Sequence, residues 1–346
     1  MEQDLTTGKP LLVITQGDPA GIGPEICLKA LSDPAVLEVC RPVLAGDVRV
    51  LEQVGHSLGL KVPEIRIPRD SLDSSASLFE GEGPFILGCG HIDEELRPGE
   101  ATRLAGEASY RYITTAIEGA MQGIFDGTVT APITKTTLHL AGITEPGHTE
   151  IFARLTGTRN YAMMLYSPRI AVSFVTCHQS LRSVPDSFTT EDVIRVTSLT
   201  HDTLLRIRGK QPRIAVLGLN PHAGEKGLFG DEESRLIEPA VEHCRAHGWL
   251  VEGPIPPDAA FMPHALARFD GHVTLYHDQG SIPFKMISMH DGVNITMGLP
   301  IIRTSVDHGT AYDIAWQGKA SHSSLVSAIQ LAAQLASSRQ GEGESL

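Results

Sequence analysis

The chain has 346 residues, 41% of them hydrophobic and 20% charged, which is typical of a globular protein long enough for two domains. Its 28 Lys and Arg residues against 41 Asp and Glu residues give a formal net charge of −13, which disfavours binding to nucleic acid or to an anionic membrane. No apolar stretch approaches the roughly 20 residues that span a bilayer, and Met1–Pro10 lacks the apolar run of a signal peptide. We therefore expect a cytoplasmic protein with no membrane or nucleic-acid partner.

Short β-branched runs alternate with helical patterns, which predicts an α/β fold around largely parallel strands. The amphipathic stretch Thr102–Gln122 predicts a long helix that spans between domains. The predicted pairs of a strand and a following helix are Leu11–Thr15 with Pro24–Leu31, Thr128–Ala131 with Thr134–Ala141, Ile170–Thr176 with Glu191–Arg208, and Ile214–Leu219 with Glu232–His247.

The first loop, Gly17–Glu25, follows an apolar strand and opens a helix with Pro24 at an early helical position. Its glycines could let backbone N–H groups approach a ligand. The spacing is not G-x-G-x-x-G, and no acidic residue can be placed at the end of a second strand, so a Rossmann fingerprint is not supported. The loop could equally be a tight strand-to-helix turn without a ligand.

Three histidines each lie just past the carboxyl end of an apolar strand: His178, His222 and His277. Ligands bind at this edge in open α/β sheets. Three imidazoles converging there would make a divalent-metal site with positions left for substrate, with zinc expected first and magnesium, manganese or cobalt as alternatives. Taken singly, each could be only a hydrogen-bonded loop residue. Polar neighbours that could orient the histidines are Arg182, Asn220, Glu225, Asp278 and Gln279.

The five cysteines are widely spaced and contain no C-x-x-C pair, which argues against a disulfide scaffold or a zinc ribbon. We expect them to be reduced and mostly buried. Cys177 directly precedes His178 and could be a nucleophile or a metal ligand, although cysteine is more often a simple core residue.

A second group of residues could bind an anion. His148 and Thr149 precede a helical run and could present an imidazole, a hydroxyl and helix N-terminal N–H groups, although Thr149 could be only a helix cap. Lys285, Asn294 and Arg303 interrupt apolar segments, where a cation needs a partner. A guanidinium can bind phosphate through paired hydrogen bonds. The alternative is that these cations form internal salt bridges.

Five motifs carry a resemblance to a known family over about Leu11 to Ala320. They resemble the 4-hydroxythreonine-4-phosphate dehydrogenases, that is, the pyridoxal phosphate biosynthesis protein PdxA and its relatives for threonate and erythronate 4-phosphate. Together the motifs are highly specific. They are Gly17–Glu25, Gly147–Glu150, Gly218–Glu225, Tyr276–Gly280 and Arg303–Ala311.

The resemblance implies a two-domain α/β fold like that of isopropylmalate and isocitrate dehydrogenases, forming a homodimer with the active site in the interdomain cleft at the dimer interface. One domain, residues 1–132 plus 301–346, would carry a non-Rossmann NAD loop, and the other, residues 133–300, would carry metal and substrate residues and the dimer interface. By spacing alone the NAD segment is only a polar loop. The cofactor residues implied are Asp307, His308, Gly309, Thr310 and Asp313.

The resemblance also implies that the metal is held by the three histidines, with a histidine contributed across the dimer. The residues implied in substrate contacts are His148, Thr149, Lys285, Asn294 and Arg303.

The implied reaction is NAD- and metal-dependent oxidation of 4-phosphohydroxy-L-threonine, with decarboxylation to 3-amino-2-oxopropyl phosphate in pyridoxine phosphate biosynthesis. The metal would act as a Lewis acid at the alcohol oxygen. Asp258 is a candidate general base, or else an ordinary loop acid.

Two departures from the family pattern, at Gln179–Arg182 and at Trp316, leave the substrate and the shape of the NAD loop open. The alternative substrates are D-threonate or D-erythronate 4-phosphate and, ranked third, aromatic cis-dihydrodiols. Two other classes of function stay open, a metal-dependent phosphate-ester hydrolase and a phosphate-binding protein without catalysis.

Overall fold

The structure is a computed structural model that describes residues 8–72, 76–90, 92 and 96–343. The chain divides into two compact units, which we call unit 1 (Met1–Thr158 and Leu299–Leu346) and unit 2 (Arg159–Gly298). The domain boundaries expected from the sequence differ from this division chiefly in residues 133–158, which belong to unit 1. His148 and Thr149 therefore lie in the unit that also contains Arg303.

The first segment of unit 1 alternates strands with helices. Its strands are β1 (Leu11–Thr15), β2 (Arg41–Gly46), β3 (Ile65–Pro68), β4 (Phe85–Gly88) and β5 (Gly127–Thr130). Its helices are α1 (Gly23–Leu31), α2 (Pro34–Val39), α3 (Val48–Leu58), α4 (Arg103–Met121), α5 (Lys135–Leu140) and α6 (His148–Leu155).

Unit 2 follows, and the chain then returns to unit 1 with β12 (Arg303–Val306) and α12 (Ser323–Gly343). The strands of unit 2 are β6 (Ala162–Ser167), β7 (Ile170–Phe174), β8 (Arg213–Leu217), β9 (Leu250–Ile255), β10 (Gly271–Thr274) and β11 (Val293–Met297). Its helices are α7 (Thr190–Arg208), α8 (Glu238–Ala246), α9 (Pro257–Ala260), α10 (Pro263–Arg268) and α11 (His277–Ile287).

In unit 1 the strands pair in parallel, in the order β3-β4-β2-β1-β5-β12. The α4 helix packs against β1, β2 and β5, while α12 packs against β5 and β12. Every residue of β1 is buried, as expected for a parallel strand whose sheet is covered by helices. The predicted α/β class is confirmed.

The long helix expected from Thr102–Gln122 is present as α4, but the prediction that it spans between domains is wrong. It lies wholly within unit 1 and packs against α5. Gly106 allows this close approach, because a Cβ atom there would lie 2.0 Å from the Thr137 carbonyl oxygen. The small residues of the helix thus serve packing inside one unit.

In unit 2 the strands lie in the order β11-β6-β7-β10-β8-β9. The pairs β7–β10, β10–β8 and β8–β9 are parallel, whereas β6 pairs antiparallel with β7 and with β11. The carboxyl ends of β7, β10 and β8 therefore meet at one edge of this sheet. His178, His277 and His222 follow these three ends along the chain.

All five cysteines lie in described segments and are free thiols, and four of them are buried. Within the described residues, no helix is both long and apolar enough to cross a membrane.

Candidate functional site

A pocket of about 550 Å³ in unit 2 lies at the carboxyl ends of β7 and β10. Residues 177–181 with Val184 form one wall, and residues 276–278 form the other. The two walls bring His178 and His277 together, with their ring centres 5.7 Å apart. Two of the three predicted metal ligands thus face one pocket.

His277 is the first residue of α11, and its ring stacks on Phe174 at 6.0 Å. Its Nδ1 lies 2.7 Å from the Asp278 carboxylate, as the sequence analysis expected of a polar neighbour. If Nδ1–H donates to Asp278, Nε2 carries a lone pair that can accept from the Ser281 hydroxyl, 3.4 Å away, or bind a metal ion, as in metal-binding histidines.

These residues suit a divalent ion. Two imidazoles bound to one tetrahedral ion at a metal–nitrogen distance of about 2.1 Å have ring centres roughly 5 Å apart, close to the separation of His178 and His277. In the described part of the chain, however, no three His, Cys, Asp or Glu side chains are already grouped as a metal site. A third ligand would have to come from a segment other than the two walls of this pocket.

The third candidate, His222, lies in a turn with left-handed backbone, Pro221–Gly227, which we call the His222 turn. Four of its residues other than glycine have φ between 43° and 55°: His222, Ala223, Glu225 and Lys226. This conformation costs roughly 1–2 kcal/mol for each such residue. A run of this kind persists only where its surroundings hold it, and such runs cluster at functional sites.

Gln279 connects the two motifs that carry His222 and His277. Its Oε1 accepts from the backbone N–H of Leu275, 2.7 Å away, and its Nε2 donates to the Gly218 carbonyl oxygen, also 2.7 Å away. The ends of β10 and β8 are therefore fixed to each other by one buried side chain.

The other predicted residues of unit 2 differ in burial. Asp258 is exposed on α9, which packs against the His222 turn. Lys285 is exposed on the last turn of α11. Asn294 lies on β11, where its Nδ2 donates to the Met163 sulfur at 3.3 Å and its Oδ1 is buried with no hydrogen-bond partner among the described residues.

The predicted anion-binding residues of unit 1 lie close together. Arg303, only 3% exposed, donates from Nη2 to the Thr130 hydroxyl at 2.9 Å and lies over the Phe152 ring. His148 is the first residue of α6, and its Nε2 is a buried atom with no hydrogen-bond partner in the described part of the chain. Thr149 lies in the first turn rather than at the cap, because the N-cap is Gly147.

The electrostatics of this pair favour an anionic ligand. Burial lowers the pKa of Arg303 to about 9, and the Glu150 carboxylate only partly offsets that effect. Burial, followed by the charge of Arg303, holds the pKa of His148 well below its usual range, so that its imidazole is neutral at neutral pH. An incoming anion would stabilise the buried guanidinium.

The Gly17–Glu25 loop contacts the protein itself, which fits the tight-turn interpretation. The backbone N–H of Ile22 donates to the Thr310 carbonyl oxygen at 3.0 Å. The buried Asp18 carboxylate accepts from the Tyr312 hydroxyl at 2.7 Å and from the Thr137 hydroxyl at 3.1 Å. Burial raises the pKa of Asp18 despite these bonds. The loop thus supports the segment predicted to bind NAD.

Three predicted cofactor residues of that segment, His308, Gly309 and Asp313, are exposed, and Asp307 and Thr310 are half-buried. Trp316 has a φ of 58°, which a glycine at this position would adopt without cost, and its indole N–H donates to the Pro19 carbonyl oxygen at 3.2 Å. Trp316 therefore has a left-handed backbone and adds a contact to the Gly17–Glu25 loop.

Cys177 packs against the apolar cluster of Leu165, Ile170, Val172, Phe174 and Phe284, is only half-buried, and also lines the pocket. Sequence reasoning missed the buried Glu233 next to the His222 turn, because an acid at the start of a predicted helix is ordinary. It also missed Asp18, whose only signal was a polar residue among glycines.

Comparison with known proteins identifies the family. The model of the pyridoxal phosphate biosynthetic protein PdxA matches residues 38–332. A 4-hydroxythreonine-4-phosphate dehydrogenase of Desulforapulum autotrophicum is 46% identical over 331 residues, covering 95% of this chain and 96% of that protein. A D-threonate 4-phosphate dehydrogenase of Salmonella typhimurium is 44% identical over 332 residues, covering 94% and 98%.

Among solved structures, a 4-hydroxythreonine-4-phosphate dehydrogenase from Klebsiella pneumoniae has a TM-score of 0.84 at 41% identity, covering 96% of this chain and 99% of that one. These relatives are named as dehydrogenases of phosphorylated hydroxy acids, which confirms the predicted enzyme class, an oxidoreductase. The chain belongs to the family of the pyridoxal phosphate biosynthetic protein PdxA.

Proposed function

We propose that this protein oxidises the secondary hydroxyl of 4-phosphohydroxy-L-threonine with NAD and a divalent metal, and that the product decarboxylates to 3-amino-2-oxopropyl phosphate in pyridoxine phosphate biosynthesis. The observation that carries the proposal is the pairing of His178 and His277 at one pocket in a chain of the PdxA family. Zinc is the first choice because imidazoles suit it, with magnesium, manganese or cobalt as alternatives.

A bound divalent ion would polarise the substrate hydroxyl as a Lewis acid, and NAD would take up the hydride. His178, His222 and His277 would hold the ion, with Asp278 orienting the ring of His277. Asp258 is the candidate base for the hydroxyl proton, since its helix packs against the His222 turn.

We assign substrate binding to His148, Thr149, Lys285, Asn294 and Arg303. His148 Nε2 and Asn294 Oδ1 support this, because a buried polar atom without a partner in the described residues is costly unless a ligand or water satisfies it. Arg303 supplies the buried cation that a phosphate group requires in a chain with a net charge of −13.

D-threonate 4-phosphate is the second candidate substrate, and the residues next to His178 in the pocket are compatible with it. Gln179 and Leu181, which lie in one departure from the family pattern, line the pocket next to His178. The two substrates differ in an amino group against a hydroxyl. A glutamine amide offers both a donor and an acceptor, so it can serve either group.

The cofactor and assembly complete the proposal. NAD should be preferred to NADP, because the segment from Asp307 to Asp313 carries acidic groups that would repel an added phosphate.

We propose a homodimer, which the exposed apolar side chains Ile282, Met286 and Met289 at the end of α11 support. A cytoplasmic location accords with the five free thiols.

The test is formation of NADH, followed by its absorbance, with 4-phosphohydroxy-L-threonine, D-threonate 4-phosphate and D-erythronate 4-phosphate. We expect the highest kcat/KM with the first substrate and with NAD, complete loss on chelation and recovery on adding zinc. A higher kcat/KM with a sugar-acid phosphate would assign the enzyme to the second function. Release of phosphate without NAD would indicate a hydrolase, and full turnover in a preparation shown by elemental analysis to be free of metal would remove the ion from the mechanism.

A further inference from the structure

Glu233 is a buried carboxylate, 3% exposed, at the start of the short π-helix Glu233–Ile237 that leads into α8. Its Oε1 accepts from the backbone N–H of Leu219 at 2.8 Å and from that of Asn220 at 2.7 Å. Its Oε2 accepts from the Asn220 side-chain amide at 3.0 Å. All three bonds end on the two residues that lead into the His222 turn.

We propose that Glu233 is a positioning residue that holds the His222 turn in its left-handed conformation and so presents the His222 imidazole to the metal. The proposal rests on the proposed function, since it takes His222 as a metal ligand. Glu233 itself would not touch the ion.

The first step of the argument is that the turn needs an anchor. Four residues other than glycine have a left-handed backbone in succession around Gly224. A peptide without tertiary contacts would not retain this conformation. The strand before the turn ends at Leu217, so the strand's own hydrogen bonds do not reach His222. The Glu233 carboxylate supplies fixed acceptors where the strand stops.

The second step is that Glu233 also contacts the interior of the turn. Gly224 has a φ of 78°, and a Cβ atom there would lie 2.6 Å from Glu233 Oε2. The carboxylate therefore fits closely against a glycine of the turn on one side and accepts bonds at the base of the turn on the other. A side chain of another length or position would not fit both.

The third step concerns what the metal site requires. His178 and His277 already face each other, whereas no three potential ligands are grouped among the described residues. His222 is thus the ligand whose position depends on its loop. Replacing a residue that orients a metal ligand typically weakens metal affinity by roughly 10- to 100-fold.

The experiment measures binding of Zn²⁺ by calorimetry, and the visible spectrum of bound Co²⁺, in the metal-stripped full-length protein. We expect Glu233→Ala to weaken Zn²⁺ binding by roughly 10- to 100-fold and to change the Co²⁺ spectrum. Glu233→Gln keeps one carbonyl oxygen for the two backbone donors but turns an NH₂ group toward Asn220, so its affinity should be intermediate. Glu232→Gln is the matched control, because within the described residues Glu232 accepts from the Asn220 side chain and not from the backbone that leads into the turn, and this variant should bind Zn²⁺ like wild type.

Gly224→Ala places a Cβ against Glu233 Oε2 and also strains a residue with a φ of 78°, so it perturbs the turn without removing a charge and should also weaken Zn²⁺ binding. In the His222→Ala background, Glu233→Gln should cause no further loss of affinity, since the ligand that Glu233 positions is gone. A Glu233 effect of the same size in that background would show a general structural role and overturn the inference.

The two proposals fail in distinguishable ways. Wild-type Zn²⁺ affinity in His222→Ala would remove His222 from the metal site and with it the proposed function's ligand set. Weak binding in His222→Ala together with wild-type binding and spectrum in folded Glu233→Gln and Gly224→Ala would overturn the inference alone. Folding is checked in each variant by circular dichroism without metal.

Discussion

The environment of Arg303 favours binding of an anionic ligand. Its guanidinium is buried, donates to the Thr130 hydroxyl and has a pKa lowered to about 9 by that burial. Taking a guanidinium out of water costs free energy, and a bound phosphate would offset part of that cost.

We therefore expect Arg303→Lys to lose about 2–4 kcal/mol of transition-state stabilisation, or roughly 30- to 1,000-fold in kcat/KM, because an ammonium cannot make the planar two-pronged contact. Lys285→Ala should lose less, since Lys285 is exposed and its charge is screened. Steady-state kinetics with confirmed metal content provide the measurement.

A measurement of phosphate binding distinguishes a substrate-binding role of Arg303 from a purely structural one. Inorganic phosphate should raise the thermal midpoint of the wild-type protein and have less effect on Arg303→Lys. Equal stabilisation of both proteins, with near-wild-type kcat/KM in Arg303→Lys, would return Arg303 to a structural interaction with Thr130 and Phe152.

At the scale of elements, α11 combines two functions in one helix. Its first residue, His277, faces the pocket, and its last turns expose apolar side chains, with Ile282 57% and Met286 83% exposed. Residues four apart lie on one face of a helix, so these two form one apolar surface. A second copy of the chain would bury this surface close to the predicted metal ligand.

We expect Met286→Asp to shift the protein from dimer to monomer in analytical ultracentrifugation, because a carboxylate in an apolar interface is left without solvent or partner. Met121→Asp on α4 in unit 1, where the side chain is 49% exposed, is the control and should leave the mass unchanged. A dimeric Met286→Asp protein would exclude this face of α11 as the contact, and a monomeric wild type would contradict the homodimer proposal.

Elements were easier to predict than the segments between them. The burial of β1 and the capped ends of α7 follow from local sequence, since Thr189 and Asp192 form a capping box and Gly209 ends the helix at a φ of 65°. The His222 turn has no such local signal, because its left-handed residues include histidine, alanine, glutamate and lysine. Glu233 follows it along the chain, and only the fold places that carboxylate at the base of the turn.

For the whole molecule, the sequence predicted the α/β class and the strand ends that carry the histidines. It placed the return to the first domain at residue 301, close to Leu299, but it did not place residues 133–158 in unit 1, because the composition does not change where the chain leaves that unit after Thr158. His148 and Arg303 lie in one unit because both residues 133–158 and the returning segment belong to unit 1.

Buried histidines make stability depend on pH across the whole molecule. His272 is 1% exposed, its Nε2–H donates to the Ala260 carbonyl oxygen, and burial lowers its pKa from 6.5 to about 4. Burial lowers the pKa of His148 as well. A lowered histidine pKa means that the unfolded chain binds more protons than the folded one between the two pKa values, so stability falls as pH falls through that window. Asp18, with its raised pKa, acts in the opposite direction.

We accordingly expect the free energy of unfolding to drop between about pH 6.5 and pH 4, with His272 contributing up to 1.4 kcal/mol per pH unit and about 3 kcal/mol over the window. His272→Gln removes the titrating group, so its unfolding free energy should depend less steeply on pH than that of wild type, whatever its value at pH 7. Asp18 and His148 are common to both proteins and cancel in the difference between them.

Urea unfolding of the metal-free protein at half-unit steps of pH provides the measurement, with the exposed His264→Gln as the control expected to keep the wild-type slope. Parallel pH dependence in His272→Gln and wild type would show that His272 is protonated in the folded state as readily as in the unfolded chain, against the burial that the structure gives it.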